Sequence, residues 1–315
     1  MPNAIQDALL IYNPISGRKP KRRFAEIEQA VRLLKDAGIR TELAATPGPG
    51  MAKGIARQAV EQRRGMVIAC GGDGTVNEVV NGLAGSDVPM ALLPAGTANI
   101  LAKELRIPWD IPHAARLIPE GVVRRIAVGL ALTPEGKETE AIPPEGRVFL
   151  CVGGAGPDAA VVNGVDPALK QRFGQLAYWF EGFRQLIRYE FPLIRVRSEG
   201  RTERVSIIVV GRTVHYGGPF KITTGASLFD NSFEILTNAT TSRWRYLASL
   251  PALWLGKLRS MDGIEVWKTS EAICEPAGNT RVFAQLDGEP VGPLPLAFRI
   301  WPDALSLVVP AEKSA

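Results

Sequence analysis

The stretch Gly65–Leu83, GMVIACGGDGTVNEVVNGL, decides the fold. Met66 to Cys70 is a short apolar run of the kind required of a parallel strand buried on both faces. Gly71, Gly72 and Gly74 interrupt it, and from Thr75 onward Val76, Val79, Val80 and Leu83 recur at helical spacing. A strand, a glycine turn and a helix start in that order make an anion site. The first amides of a helix lack intrahelical partners, its dipole favours negative charge, and bare glycines let phosphate oxygens approach. Asp73 lies inside this turn, where an isolated carboxylate would repel phosphate. A Mg²⁺ ion or a substrate hydroxyl between the two resolves the conflict. The plainer alternative is a strand-to-helix turn in which Asp73 caps the helix.

The same grammar repeats on either side. Ala8–Tyr12 reads as a strand and runs into Asn13-Pro14-Ile15-Ser16-Gly17. Phe24–Ala37 has helical periodicity, Ile39–Ala45 reads as a second strand, and Met51–Arg64 reads as a helix after the Pro/Gly-rich loop 46–50. Met90–Leu93 is a further strand, closed by Pro94-Ala95-Gly96-Thr97 and followed by a helix over Ala98–Leu105. This alternation predicts right-handed parallel crossovers and a doubly wound, mostly parallel sheet. In such a sheet the carboxyl ends share one edge, so NPISG, GGDGT and PAGT are expected to converge there, where ligands bind.

The character of the chain changes after about residue 123. Arg124–Leu132 and Arg147–Val152 read as strands flanking a polar, Pro/Gly-rich loop at 133–146, and Arg172–Tyr189 reads as an aromatic-rich helix. Strands follow at Leu193–Ser198, Arg204–Gly211, Phe220–Thr224, Phe233–Thr237, Gly263–Lys268, Ala272–Pro276 and Leu296–Trp301. The expected fold class is therefore α/β, with a parallel-sheet domain over 1–123 and a β-rich, sandwich-like domain over 124–315. The last residues are expected to return to the first domain.

With 315 residues, 46% of them hydrophobic and 22% charged, the chain can bury a sizeable core. A net charge of +5 favours anionic ligands or membrane surfaces. Arg18–Arg23 is a short basic cluster, and no basic block with interleaved aromatics marks a nucleic-acid groove. Cys70, Cys151 and Cys274 are widely spaced in apolar surroundings, which suits reduced thiols better than disulfides or a metal cage. With no signal-peptide layout and no spanning apolar run, the expectation is a soluble, cytoplasmic protein. His113 and His215 are the only histidines, which makes His-based metal or triad chemistry a poor expectation.

GGDGTVNEVVNGL followed by LLPAGTANILA resembles the diacylglycerol kinase catalytic superfamily, and is most similar to its soluble bacterial lipid kinases. NPISG, GAGPDAAVV (154–162), FGQLAYW (173–179), YGGPFKITTGASLFDNSFEIL (216–236) and LDGE (286–289) extend the resemblance along the chain. It implies an N-terminal domain like that of NAD kinases and phosphofructokinases, and an ATP- and Mg²⁺-dependent kinase acting on a lipid alcohol such as diacylglycerol. It assigns nucleotide binding to Asn13, Thr46, Gly71, Gly72, Asp73, Gly74, Thr75, Val76, Asn77, Glu78, Gly96 and Thr97. Asp73 would also position phosphates and magnesium. The general base would be Asp287 or Glu289, a choice left open here, and an Asp-Gly-Glu hairpin tip is the plainer reading of the same residues. A structural Mg²⁺ would lie at Ser227, Asp230 and Ser232, partly on main-chain carbonyls. Here Asn231 replaces the usual Gly, and Ile100 stands where many bacterial members have Asp. Two alternatives remain, an NAD kinase-like enzyme or a non-catalytic lipid- or nucleotide-binding regulator.

Partners expected are the lipid alcohol and, transiently, an anionic membrane surface to which the protein is peripheral. No nucleic acid is expected, and a homodimer is left open. Arg243–Arg259, RWRYLASLPALWLGKLR, suits an interfacial helix on anionic lipid, but packing against the β domain explains the same pattern and is preferred. Gly154-x-Gly156-x-x-Ala159 nominally matches a dinucleotide fingerprint, but Pro157 lies inside it and no clear βαβ unit follows.

Overall fold

The computed structural model describes residues 5–16, 20–134, 146–164, 189–218 and 220–311. The helix expected over 172–189, its FGQLAYW motif and most of the 133–146 loop lie outside the described residues. The chain divides into two units, one running to Ala127 and resuming at Pro302, the other Val128–Trp301.

The first unit runs β1 (Asp7–Tyr12), α1 (Pro20–Asp36), β2 (Arg40–Ala45), α2 (Met51–Glu61), β3 (Val67–Gly71) and α3 (Asp73–Leu83). It continues through β4 (Met90–Pro94), α4 (Ile100–Glu104) and α5 (Ile111–Leu117). The strands lie in the order β2-β1-β3-β4, each pair parallel. Both β3 and β4 are buried along their whole length, which is why VIACG and MALLP are unbroken apolar runs. α1 packs with α5 and α2 with α3, the pairing of a sheet covered on both faces. Each fully buried Val, Ile or Leu contributes about 1.5–3 kcal/mol, so the sheet can carry glycine turns that bury little themselves.

The chain leaves this unit within β5 (Val122–Leu132) and returns within β18 (Leu296–Val309). Between them lie β6 (Arg147–Phe149), β7 (Val152–Ala155), α6 (Pro157–Gly164), β8 (Ile194–Ser198), β9 (Arg201–Val205) and β10 (Ile207–Gly211). Then come β11 (His215–Tyr216), β12 (Phe220–Lys221), β13 (Phe233–Asn238), α7 (Arg243–Trp254), β14 (Ile264–Thr269), β15 (Glu271–Pro276), β16 (Phe283–Leu286) and β17 (Glu289–Pro293).

In the second unit one sheet has the order β14-β13-β10-β7-β16-β17, all antiparallel. The other pairs the first half of β18 with β15, then β8 and β9. Phe149, Phe233 and Phe298 meet in the core between them, with ring centroids 5.7 and 5.9 Å apart. The single strand expected over Arg204–Gly211 is two strands in different sheets. Ser206 makes the switch, its Oγ donating to the Asn238 and Thr240 carbonyls.

α7 packs on the β-rich unit through its rings, Tyr246 against Phe191 with centroids 5.4 Å apart and Trp254 edge-on to Phe220 at 5.1 Å. Ser249 alone is buried in it, while Trp244 is 75% and Trp254 63% exposed, and Leu255 just beyond is 71% exposed. The helix expected to pack within Arg243–Arg259 therefore does so along one side and leaves Trp244 and Leu255 exposed.

Candidate functional site

The parallel sheet reverses its winding between β1 and β3, because the chain goes outward to β2 before returning to the other side of β1. Ligands bind at the carboxyl edge of such a switch point. The register sets Tyr12 beside Cys70 and Gly71 beside Pro94, so Asn13, Gly72 and Ala95–Thr97 emerge at one edge. The turns touch there. A Cβ on Gly96 would lie 2.4 Å from the Gly72 Cα, and one on Gly71 would lie 2.4 Å from the Thr75 Cβ. Bare backbone is therefore a packing requirement at both turns.

Asp73 is not the cap of its own helix, since Gly72 holds the N-cap position and Asp73 is the first helical residue. Its carboxylate reaches across to the neighbouring turn, accepting the amides of Asn99 at 3.0 Å and Ile100 at 2.7 Å. Asn99 takes the left-handed conformation (φ 48°), and its side chain closes the turn onto the Gly96 N–H and carbonyl. A cation carried on nucleotide phosphates asks the protein for only one or two carboxylates, and Asp73 is the carboxylate that the glycine turn places at this edge. That donor set fits such a cation.

Glu78 works in the same way on the other side. Its two oxygens accept the amides of Gly50 (2.8 Å) and Ala52 (2.9 Å), pinning the 46–50 loop at the start of α2. Thr46 is buried and donates its N–H to the Tyr12 carbonyl at 2.8 Å. Asn13 directs its Oδ1 to the Ile15 amide. Thr75, Val76 and Asn77 are buried, so of the residues assigned to nucleotide, Asn13, Gly72, Asp73, Gly74, Gly96 and Thr97 are those left at the edge. Sequence reasoning missed Lys103 on α4, whose amine feels the Asp73 charge while burial lowers its pKa. Its signal was only a lysine four residues after the Asn of GTAN.

In the second unit, Asp287 and Gly288 form the two-residue tip between β16 and β17, both with positive φ (49° and 79°). The hairpin-tip reading is thus correct in shape. The Asp287 carboxylate accepts three consecutive amides, Leu150 at 2.7 Å, Cys151 at 2.9 Å and Val152 at 2.8 Å. Glu289 is the half-buried first residue of β17.

A second carboxyl nearby went unnoticed in the sequence. Asp158, at the start of α6, accepts the Tyr216 hydroxyl at 2.7 Å, while its other oxygen, Oδ1, is buried with no partner among the described residues. Burial raises the Asp158 pKa, and burial beside Asp158 raises that of Tyr216. Gln285 joins this pair to the tip. Its Nε2 lies 3.5 Å from Asp158, and its Oε1 accepts the Gly288 amide at 2.9 Å. A buried carboxyl with a perturbed pKa is a site candidate on physical grounds.

The structural Mg²⁺ expected at Ser227, Asp230 and Ser232 does not fit. The carbonyls of Asp230 and Ser232 accept N–H bonds from the buried Arg212 guanidinium, and the Asp230 carboxylate pairs with Lys268 at 2.8 Å. Ser227 gives its Oγ to the Phe229 amide and its carbonyl to the Asp230 amide. No group of three His, Cys, Asp or Glu side chains suited to a metal occurs among the described residues. The dinucleotide fingerprint also falls away, because β7 before it pairs antiparallel with β10 and β16.

Residues 7–131 match the family model described as Diacylglycerol kinase catalytic domain, and residues 152–309 match the YegS C-terminal NAD kinase beta sandwich-like domain. The chain is 29% identical over 312 residues to a diacylglycerol kinase of Bacillus subtilis (strain 168), covering 98% of this chain and 97% of the relative. It is 30% identical over 233 residues to a diacylglycerol kinase of Staphylococcus aureus (strain bovine RF122 / ET3-1), covering 73% and 69%. A crystal structure from Bacillus anthracis str. Sterne shares the fold with a TM-score of 0.79 at 20% identity, over 98% of this chain and 97% of that one. Another from that strain, described as a diacylglycerol kinase, gives a TM-score of 0.70 at 19% identity over 96% and 97%.

Proposed function

The chain belongs to the diacylglycerol kinase catalytic-domain family, and on that premise we propose that it transfers the γ-phosphoryl group of ATP to the hydroxyl of a lipid alcohol such as diacylglycerol. The observation that carries this is the contact of the Gly72 and Gly96 turns at the switch-point edge, with Asp73 between them. Backbone amides at the start of α3 would cradle the phosphates, and Lys103 would add positive charge. A divalent cation held by Asp73 and the phosphates would neutralise charge as the bond to the leaving ADP breaks.

The acceptor hydroxyl must lose its proton as its oxygen forms the new P–O bond, because a primary alcohol is too weak an acid to ionise freely. We assign that proton to Glu289. Three backbone amides already hold Asp287 as the anchor of its turn. The Asp158–Tyr216 pair, whose buried Oδ1 has no partner among the described residues, would hold a polar group of the acceptor.

The membrane partner has its support on α7. Trp244, Trp254 and Leu255 are exposed, Arg243, Arg245 and Lys257 stand beside them, and residues 243–261 include no acid. Aromatic rings with basic neighbours suit the headgroup region of an anionic bilayer. No helix among the described residues is long and apolar enough to cross it.

One observation favours a second reading, because the second unit matches a domain described as NAD kinase-like. One experiment separates the possibilities: γ-labelled ATP offered together with NAD and a panel of dispersed lipid alcohols, the products resolved by chromatography. Label in a phospholipid supports the proposal, and label in NADP supports the second reading. ATP retained with no labelled product indicates a binding protein without catalysis.

A further inference from the structure

Three main-chain carbonyls between β12 and β13 converge on one side chain. Arg212, directly after β10, donates Nη1–H to Asp230 O at 2.5 Å and to Ser232 O at 3.0 Å, and Nη2–H to Leu228 O at 2.8 Å. The residue is fully buried, among the largest side chains to be so among the described residues, and its own amide is fixed to the Cys151 carbonyl at 2.8 Å. A buried charge is costly unless it is paired and hydrogen-bonded, so a guanidinium kept here must hold something in place.

What it holds is a cradle of the kind made for an ion. Converging carbonyl oxygens are what a hard cation takes in place of water. We propose that the Arg212 guanidinium is a built-in replacement for a structural metal ion, holding the Leu228–Ser232 turn itself, so that this unit binds no divalent cation there. The inference is independent of which substrate the protein phosphorylates.

The surroundings agree. A divalent ion would have to displace the N–H donors from two carbonyls it needs, those of Asp230 and Ser232. It would also have to take the Asp230 carboxylate from Lys268, and it would meet two cations where it needs anions. A second strap on the same loop is likewise made of side chains. Glu234 accepts the Gly225 amide at 2.9 Å and pairs with Arg259 at 3.0 Å. A planar fork of five donors can serve three carbonyls at fixed angles, which the compact ammonium of a lysine cannot. Burial pushes the Arg212 pKa down to about 10, with Asp230 opposing, so the group remains charged at neutral pH.

The test is thermal unfolding of the full chain without nucleotide, in EDTA and in magnesium chloride at matched ionic strength. The two melting temperatures should agree within about 1 °C, because an ion that does not bind cannot shift the transition. A rise of several degrees with magnesium would overturn the proposal. Arg212→Met should melt several degrees lower than the unmodified protein, with Arg212→Lys between them. An unchanged melting temperature in Arg212→Met would overturn the assigned role. Should that variant fail to fold, the magnesium response of the unmodified protein still decides.

Discussion

Asp287 accepts three amides from Leu150–Val152, whereas Glu289, two residues on, opens β17. The Asp-Gly pair was legible as a hairpin tip because both positions need positive φ. Which carboxylate would be an anchor was not legible, since the amides it holds lie more than a hundred residues earlier in the chain. Hydrogen bonds to a charged group are worth about 1.5–3 kcal/mol each, so Asp287→Ala should lower the unfolding free energy by at least about 3 kcal/mol. Denaturant titration measures this, and an unchanged midpoint would remove Asp287 from its structural role. Cys70 allows a cleaner electrostatic prediction. It is buried on β3, and burial raises its thiol from 9.0 to about 12. Above pH 9 the unfolded chain sheds this proton while the folded chain keeps it, so stability is full below pH 9 and falls from there toward pH 12. Between pH 8 and 10 the unmodified protein should lose about 1.4 kcal/mol more than Cys70→Ala, with other titrating groups common to both. Equal losses in the two proteins would contradict the burial argument.

At the scale of elements, the parallel strands were legible because burial on both faces leaves nothing but apolar runs, as in VIACG and MALLP. β16 and β17 were not, because FAQL and EPVGP carry a glutamine, two prolines and a glycine that hide any alternation. β18 was read as far as Trp301 and continues to Val309, since Pro302 and the left-handed Asp303 interrupt its pattern without ending its pairing. A break such as Ser206, where one apolar run feeds two sheets, depends on partners distant in sequence. The turns of the candidate site were legible from their glycines, but their mutual contact and the reach of Asp73 into the next turn were not. Gly82 in α3 shows the same dependence on a neighbour. A Cβ there would lie 2.6 Å from both the Ala56 Cβ and the Lys53 carbonyl of α2. Alanine usually stabilises a helix interior over glycine by about 1 kcal/mol. Gly82→Ala should reverse that sign and lower the melting temperature, because α2 must move away; a higher melting temperature would show that the two helices separate at little cost.

For the whole molecule, the acceptor proposed is a lipid, so the protein must meet a membrane surface. The membrane contact rests on exposed rings and neighbouring charges, so both should matter in binding. The unmodified protein should sediment with vesicles containing phosphatidylglycerol, and release as added salt shortens the Debye length below about 8–10 Å. Trp244→Ala combined with Trp254→Ala should weaken that binding by an order of magnitude while leaving turnover of a short-chain, water-dispersed acceptor unchanged. Binding that survives both substitutions and high salt would place the membrane contact elsewhere. The central claim, ATP-dependent phosphoryl transfer to a lipid hydroxyl with Glu289 taking the proton, is reached most directly by steady-state kinetics of Glu289→Gln with γ-labelled ATP and diacylglycerol. The account predicts turnover lowered by about 10²–10⁴-fold with the KM for ATP nearly unchanged. Labelled lipid formed by Glu289→Gln at the rate of the unmodified protein would contradict it.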